Sequence, residues 1–176
     1  MMYFTSDLHL GHENCISMCN RPFSSVDEMN EKLIDNWNKR VHKNDTVYIV
    51  GDFAYRSAVS PEEYIKRLKG NKYLIIGNHD RSWIGGVDLS KYFIGWSSYA
   101  VINTGKGKAT LCHFPMLAFE GKYLIHGHMH NSVNRPYWSC LKKMKNALNA
   151  GVDINGYAPA TFDELVANNE EFRKEN

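Results

Sequence analysis

Short apolar runs alternate with longer, mostly polar stretches along this chain. Six runs of β-branched, aromatic or aliphatic residues, at 2–5, 46–50, 73–76, 99–103, 109–112 and 123–125, are bounded by turn-forming residues. Runs of this length and make-up read as buried strands. Thr104-Gly105-Lys106-Gly107-Lys108 joins 99–103 to 109–112 and predicts a β-hairpin. Elsewhere the period changes. Met29, Leu33, Ile34 and Trp37 fall on one helical face and predict a helix from about residue 26 to 41. Ser25-Val26-Asp27-Glu28 resembles a capping box at its start. Ser60-Pro61-Glu62-Glu63 opens a second helix, with proline in the first turn and acids at the positive end of the dipole, ending near Gly70. Ala160-Thr161-Phe162-Asp163-Glu164 opens a last helix. Strands alternating with helices point to the α/β class, and the hairpin makes the sheet mixed. No repeat and no Pro/Gly/Ser-rich linker divides the chain, so a single domain over 1–176 is expected.

Composition narrows the picture. With 176 residues, 43% hydrophobic and 23% charged, the chain has enough apolar material for a packed core and is not of disordered type. The formal net charge of +2 gives no bulk attraction to nucleic acid or membranes, so any affinity for phosphate has to be local. There is no apolar run of about 18 residues to suggest a membrane helix. Met1 to Asp7 lacks the basic and apolar regions of a signal peptide, and the expected location is cytoplasmic. Cys15, Cys19, Cys112 and Cys140 form no C-x-x-C pair and read as reduced thiols.

The chemistry gathers at strand ends. Phe4-Thr5-Ser6 runs into Asp7-Leu8-His9, and Tyr48-Ile49-Val50 into Gly51-Asp52. Leu74-Ile75-Ile76 runs into Gly77-Asn78-His79-Asp80, Thr110-Leu111-Cys112 into His113, and Leu124-Ile125 into His126-Gly127-His128-Met129-His130. In α/β sheets, ligands bind beyond the carboxyl ends of the strands. Of the eight histidines, only His42 lies away from these ends. Each motif alone has an ordinary reading as a cap, a turn or a core histidine. All of those readings would have to hold at once for the pattern to mean nothing. Imidazole and carboxylate donors suit Mn²⁺, Fe or Zn²⁺. Two ions about 3.5–4 Å apart need a shared carboxylate, and such a pair clamps a phosphoryl group and activates water.

The ordered set Asp-x-His, Gly-Asp, Gly-Asn-His-Asp, a lone His and Gly-His-x-His resembles the calcineurin-like metallophosphoesterase superfamily from Asp7 to His130. The opening Ser6-Asp7-Leu8-His9-Leu10-Gly11-His12, with Arg21-Pro22-Phe23 behind it, further resembles small bacterial and phage-type members of unassigned substrate. The resemblance implies two stacked mixed β-sheets flanked by helices, an αββα four-layer sandwich. It implies one divalent metal held by Asp7, His9 and His130, a second held by Asn78, His113 and His128, and Asp52 bridging them. Manganese is the expected metal, with Fe, Zn or Ni as alternatives. His79 is implied as general acid or phosphate clamp.

One departure stands out. Many members carry a second aspartate that orients this histidine, in Gly-Asp-x-x-Asp, and here that position is Tyr55. His12 is therefore a second acid candidate, and its ordinary alternative is a helix-start histidine bonded to backbone. Arg56 matches an arginine that binds substrate phosphate in the protein-phosphatase branch, against the alternative of a solvated surface residue. His126 reads as a buried or supporting histidine. Lys142, Lys143 and Lys145 read as a solvated face. Asn149 to Asp153 reads as a structural turn, the four tryptophans as core or lid residues, and 81–96 as a candidate lid.

The expected function is hydrolysis of a phosphodiester or phosphomonoester. One rival is a nucleic-acid or cyclic-nucleotide phosphodiesterase; the other is a metal-binding interaction module without catalysis. A nucleotide partner and nucleic acid both stay open at this point, and so does the oligomeric state.

Overall fold

The computed structural model describes all 176 residues. β1 (Met2–Thr5), β2 (Thr46–Val50), β3 (Asn71–Ile75) and β4 (Phe93–Ser97) form one sheet in that order. β5 (Tyr99–Asn103), β6 (Lys108–Cys112), β7 (Tyr123–His126) and β8 (Ala147–Asn149) form the other. The helices are α1 (Asn14–Met18), α2 (Val26–Arg40), α3 (Pro61–Arg67), α4 (Trp138–Leu141) and α5 (Phe162–Glu175). The two sheets with flanking helices are those the sequence led us to expect, with one refinement. The pairings within β1 to β4 are all parallel, and only the second sheet is mixed, through the antiparallel β5–β6 hairpin. The first sheet's antiparallel contact is an isolated bridge between Phe4 and Ala160.

Side-chain alternation along each strand builds two cores. Tyr3, Val47, Ile49 and Leu74 face Met29, Leu33, Trp37 and Ile65 on the helices α2 and α3. Their neighbours Phe4, Val50 and Ile75 face the second sheet, where they meet Leu111, Ile125 and Leu148. Strands buried on both faces are apolar at successive positions, which is why these runs look continuous in sequence.

The caps follow chemistry with one variation. Ser25 accepts from the Glu28 backbone N–H at 3.1 Å, but the Glu28 carboxylate reaches Ser24 rather than Ser25. The reciprocal capping box is found instead at Thr161 and Glu164, where α5 begins. Segment 81–96 is not a lid. Its short 3₁₀ turns bury Trp83 and Leu89 in the first core, and its end, Phe93–Ser97, is the outer strand of the first sheet. Glycine and isolated aromatics hid a strand there, because pairing with β3 supplies what local pattern lacks.

Seven strands, all but β5, run parallel within their sheets. A bridge between Ser6 and Gly151 stitches the loop after β1 to the loop after β8, so the sheets meet beside the strand ends. No helix is long and apolar enough to cross a membrane.

Candidate metal centre

Asp7, Asp52, Asn78, His79, His113, His128 and His130 all follow strand ends, and the fold brings them together. Asp52 lies at the middle. Its Oδ1 accepts the His79 backbone N–H at 2.9 Å. Its Oδ2 is surrounded by ring nitrogens: His113 Nε2 at 3.3 Å, His9 Nε2 at 3.6 Å and His79 Nε2 at 4.0 Å. On one side stand Asp7, His9 and His130, with His130 Nε2 3.7 Å from Asp7 Oδ1. On the other, Asn78 Oδ1 lies 3.1 Å from both His113 Nε2 and His128 Nδ1. Asp7/His9/His130 and Asp52/His113/His128 each place one donor atom per residue within 4.8 Å of the others.

The surroundings orient these donors. His113 Nδ1 lies 2.9 Å from the Val50 carbonyl, and His130 Nδ1 lies 2.8 Å from Asp153 Oδ2. Each contact commits Nδ1 as donor and turns Nε2 toward the centre. Asp7 accepts the His128 backbone N–H at 3.1 and 3.0 Å, which ties the first and fifth motifs together. His9 Nε2 is buried without a hydrogen-bond partner. An orphaned buried imidazole nitrogen is costly unless something coordinates it, so this atom fits the role of a metal ligand.

Close approach at the centre excludes side chains from three glycines, and a Cβ on Gly77 would fall 2.3 Å from Asp52 Oδ1. A Cβ on Gly51 would overlap the His113 ring, and Gly51 sits at φ +89°. A Cβ on Gly127 would overlap Ser6 Oγ and come within 2.7 Å of Asp7 Oδ2. Five of the donor residues themselves adopt left-handed backbone: Asp7 (φ 55°), His9 (51°), Asp52 (54°), His128 (68°) and His130 (49°). Non-glycine residues rarely sit there, and strain of this kind concentrates at functional sites.

Electrostatics match the geometry. Burial pushes the Asp52 carboxyl up, but the His113 and His9 rings outweigh it and hold Asp52 at about 2. Burial pushes His113 down, yet Asp52 and Asp7 raise it to about 9. His130 is likewise penalised by burial and raised to about 11, chiefly by Asp153 and then by Cys19 and Asp7. His9 and His128 are pushed below the ordinary histidine value by burial first and by neighbouring imidazoles. Buried carboxylates ringed by imidazole nitrogens form a donor set suited to a divalent cation.

The catalytic candidates sit on one flank. The His79 ring is 5.2 Å from His9, centroid to centroid, and packs on Tyr55 at 3.9 Å. His12 is buried with its Nδ1 3.2 Å from His9 Nδ1, and its ring meets Tyr55 edge-on at 4.9 Å. The polar contact of its ring is thus with the His9 ring and not with backbone. Arg56 is exposed, and its guanidinium carbon lies 5.1 Å from the Tyr55 ring centroid. His126 is fully buried, bonded to the Gly127 carbonyl and pushed down to about 4 by burial. Lys142, Lys143 and Lys145 are exposed.

Two supporting residues escaped sequence reasoning. The stretch read as a plain turn carries Asp153, which holds His130 and forms a buried ion pair with Arg21 at 2.8 Å. Arg21 also donates to the backbone carbonyls of Asp7 and Leu8 at 2.7 and 2.9 Å. The signal was an acid following a strand end, as in the other motifs. Asp80 is the second. It is fully buried and accepts the backbone N–H groups of Asp52, Phe53 and Gly77 and the Trp83 indole N–H. One carboxylate thereby knots the loops after β2 and β3.

Comparison with known proteins agrees with this picture. Residues 2–145 match the family model described as calcineurin-like phosphoesterase. The chain is 33% identical over 171 residues to an uncharacterized protein of Methanocaldococcus jannaschii, covering 94% of this chain and 89% of the other. It is 31% identical over 163 residues to the gene 66 protein of Mycobacterium phage L5, covering 74% of this chain and 78% of the phage protein. A solved structure of a protein of unknown function from Aquifex aeolicus is similar, with a TM-score of 0.71 and 28% identity over 94% of this chain and 97% of that one.

Proposed function

The chain belongs to the calcineurin-like phosphoesterase family, and from that premise we propose that it hydrolyses a phosphodiester or phosphomonoester with the help of two divalent metal ions. The observation that carries the reading is Asp52 Oδ2, which has ring nitrogens of His9, His113 and His79 within 4.0 Å. A carboxylate so placed would serve as a ligand shared by two donor sets. Asp7, His9 and His130 would hold one ion, and Asn78, His113 and His128 the other, with Asp52 between them. Imidazole, carboxylate and amide oxygen donors suit Mn²⁺, with Fe, Zn²⁺ or Ni²⁺ as alternatives. When bound, such a pair polarises a phosphoryl oxygen and activates water.

The chain's own groups supply the rest. Asp153 and the Val50 carbonyl fix the His130 and His113 rings. His79, beside Asp52 and outside both donor sets, is positioned to give a proton to the departing oxygen. Its ring is held by Tyr55 in place of the carboxylate found in many relatives. Arg56, exposed on the same flank, offers a forked donor to substrate phosphate. His12, whose Nδ1 meets that of His9, steadies a ligand as well as standing near the acid.

The test is hydrolysis of bis-p-nitrophenyl phosphate and p-nitrophenyl phosphate by metal-stripped protein, before and after adding Mn²⁺. Restored diester cleavage identifies a phosphodiesterase, and restored monoester cleavage alone a phosphatase. Asp52→Asn is expected to abolish either activity. Full activity in that variant sinks the shared-ligand reading. Bound Mn²⁺ without turnover of any ester favours a binding module instead.

A further inference from the structure

The centre has two unlike flanks. Tyr55, His12, His79 and Arg56 make one side polar. On the other, the Phe114 ring packs against His128 at 4.7 Å and against His113 at 5.1 Å. Beyond Phe114 opens a cavity of about 370 Å³ whose wall includes His128 itself. Met116, Leu117, Tyr137, Leu141 and Met144 line it, and seven of its nine lining residues are hydrophobic. Phe114, Leu117 and Tyr137 are 43%, 79% and 45% exposed, so three large apolar side chains that folding left uncovered converge on one place. Exposed apolar surface gathered beside convergent polar groups marks a binding site.

We infer that this cavity seats a non-polar aryl group esterified to the substrate's phosphate. The inference rests on the phosphoesterase reading and narrows its substrate class. The volume suits a group of one or two rings. Sulfur and aromatic side chains in the wall favour a flat ring. A sugar or peptide there would leave hydroxyls or amides facing apolar surface without partners. The flank bearing His79 is separate, so a diester can present its leaving oxygen there while its second ester group enters the cavity.

The test uses the full chain with Mn²⁺ and three diesters sharing a p-nitrophenyl leaving group, whose second group is methyl, phenyl or 1-naphthyl. KM is expected to fall about tenfold or more from methyl to naphthyl. Cys140 lines the cavity from an exposed position on α4, so Cys140→Trp places an indole in the space without touching the core. That variant is expected to collapse the naphthyl-over-methyl preference toward unity. Equal KM values across the series, or a preference that survives Cys140→Trp undiminished, overturns the inference.

A second readout needs no turnover. In metal-stripped protein, 1-naphthyl methylphosphonate is expected to slow alkylation of Cys140 by N-ethylmaleimide, read by peptide mass spectrometry, while methyl methylphosphonate does not. Equal alkylation with both overturns the inference. A protein that hydrolyses no ester with any metal but shows this protection loses the hydrolase reading and keeps the apolar subsite.

Discussion

Tyr55 lays its ring against that of His79, with centroids 3.9 Å apart and planes inclined by 42°. A phenol ring holds an imidazole by packing, where an aspartate would hold it through a charged hydrogen bond. Tyr55→Ala is therefore expected to lower kcat about tenfold with little change in KM, because a loosened proton donor is lost mainly in the transition state. Tyr55→Phe should keep most of the rate, since the ring does the holding. Unchanged kcat in Tyr55→Ala would show that His79 needs no such support.

Asp153 serves two partners at once, His130 and Arg21. Asp153→Asn should weaken the binding of one of two metal equivalents by about 10–100-fold, the usual cost of losing a ligand's supporting carboxylate. It should also destabilise the fold by about 3 kcal/mol, because Arg21 would be left as a buried, uncompensated charge. Calorimetric metal titration and thermal melts read the two effects separately. Loss of stability with both equivalents bound as tightly as before would confine Asp153 to the fold.

Metal binding should release protons. His113 and His130 stand at about 9 and about 11 without metal, so both rings are protonated at neutral pH and must shed that proton to coordinate. Calorimetry in buffers of differing ionisation enthalpy should find about two protons released at pH 7. Both folded-state values lie above the ordinary histidine value, so this source of stability is fully present below about 6.5. It is lost as pH rises through 9 and then 11. The metal-free protein should weaken across that window, and the metal-loaded protein should not. Binding without proton release would mean the rings were already neutral.

The strand-end motifs were readable because they carry their chemistry locally: Gly51-Asp52 and Gly77-Asn78-His79-Asp80 pair a tight turn with a donor in adjacent positions. The left-handed torsions of Asp7 and His128 could not be read, since glycine beside a donor signals room but not its direction. Asp153 was hidden because its importance lies in a contact with His130, 23 residues earlier, and with Arg21, 132 residues earlier. β4 and β8 were missed for the related reason that their partners, β3 and β7, supply the pairing. Trp83, read as core or lid, is core, with its indole N–H donated to Asp80.

Away from the site, Arg40 grips both oxygens of Glu164 at 2.5 and 2.6 Å where α2 meets the start of α5. The guanidinium, helped by the Thr161 N–H, holds the Glu164 carboxyl at about 2. A depressed acid contributes stability above its ordinary value near 4.5 and loses it as pH falls toward 2. Both side chains are more than a third exposed, so screening limits the gain to about 0.5–1 kcal/mol. Glu164→Gln should lower stability by that amount at pH 7 and by almost nothing at pH 2 in denaturant titrations. An equal loss at both pH values would assign the effect to the cap rather than the charge.

The left-handed backbone at Asp7, His9, Asp52, His128 and His130 restricts how this centre can be re-engineered. Asn, Asp, His and Gly enter that region at modest cost, and β-branched or bulky residues do not. A chemist wishing to retune the centre thus has a short alphabet at five positions. Exchanges among aspartate, asparagine and histidine alter donor charge while the chain keeps its path. Introducing threonine or a long side chain changes the donor and bends the loop together. Asn78 and His113 lack positive φ, which makes them the positions where a wider choice of donors can be tried first.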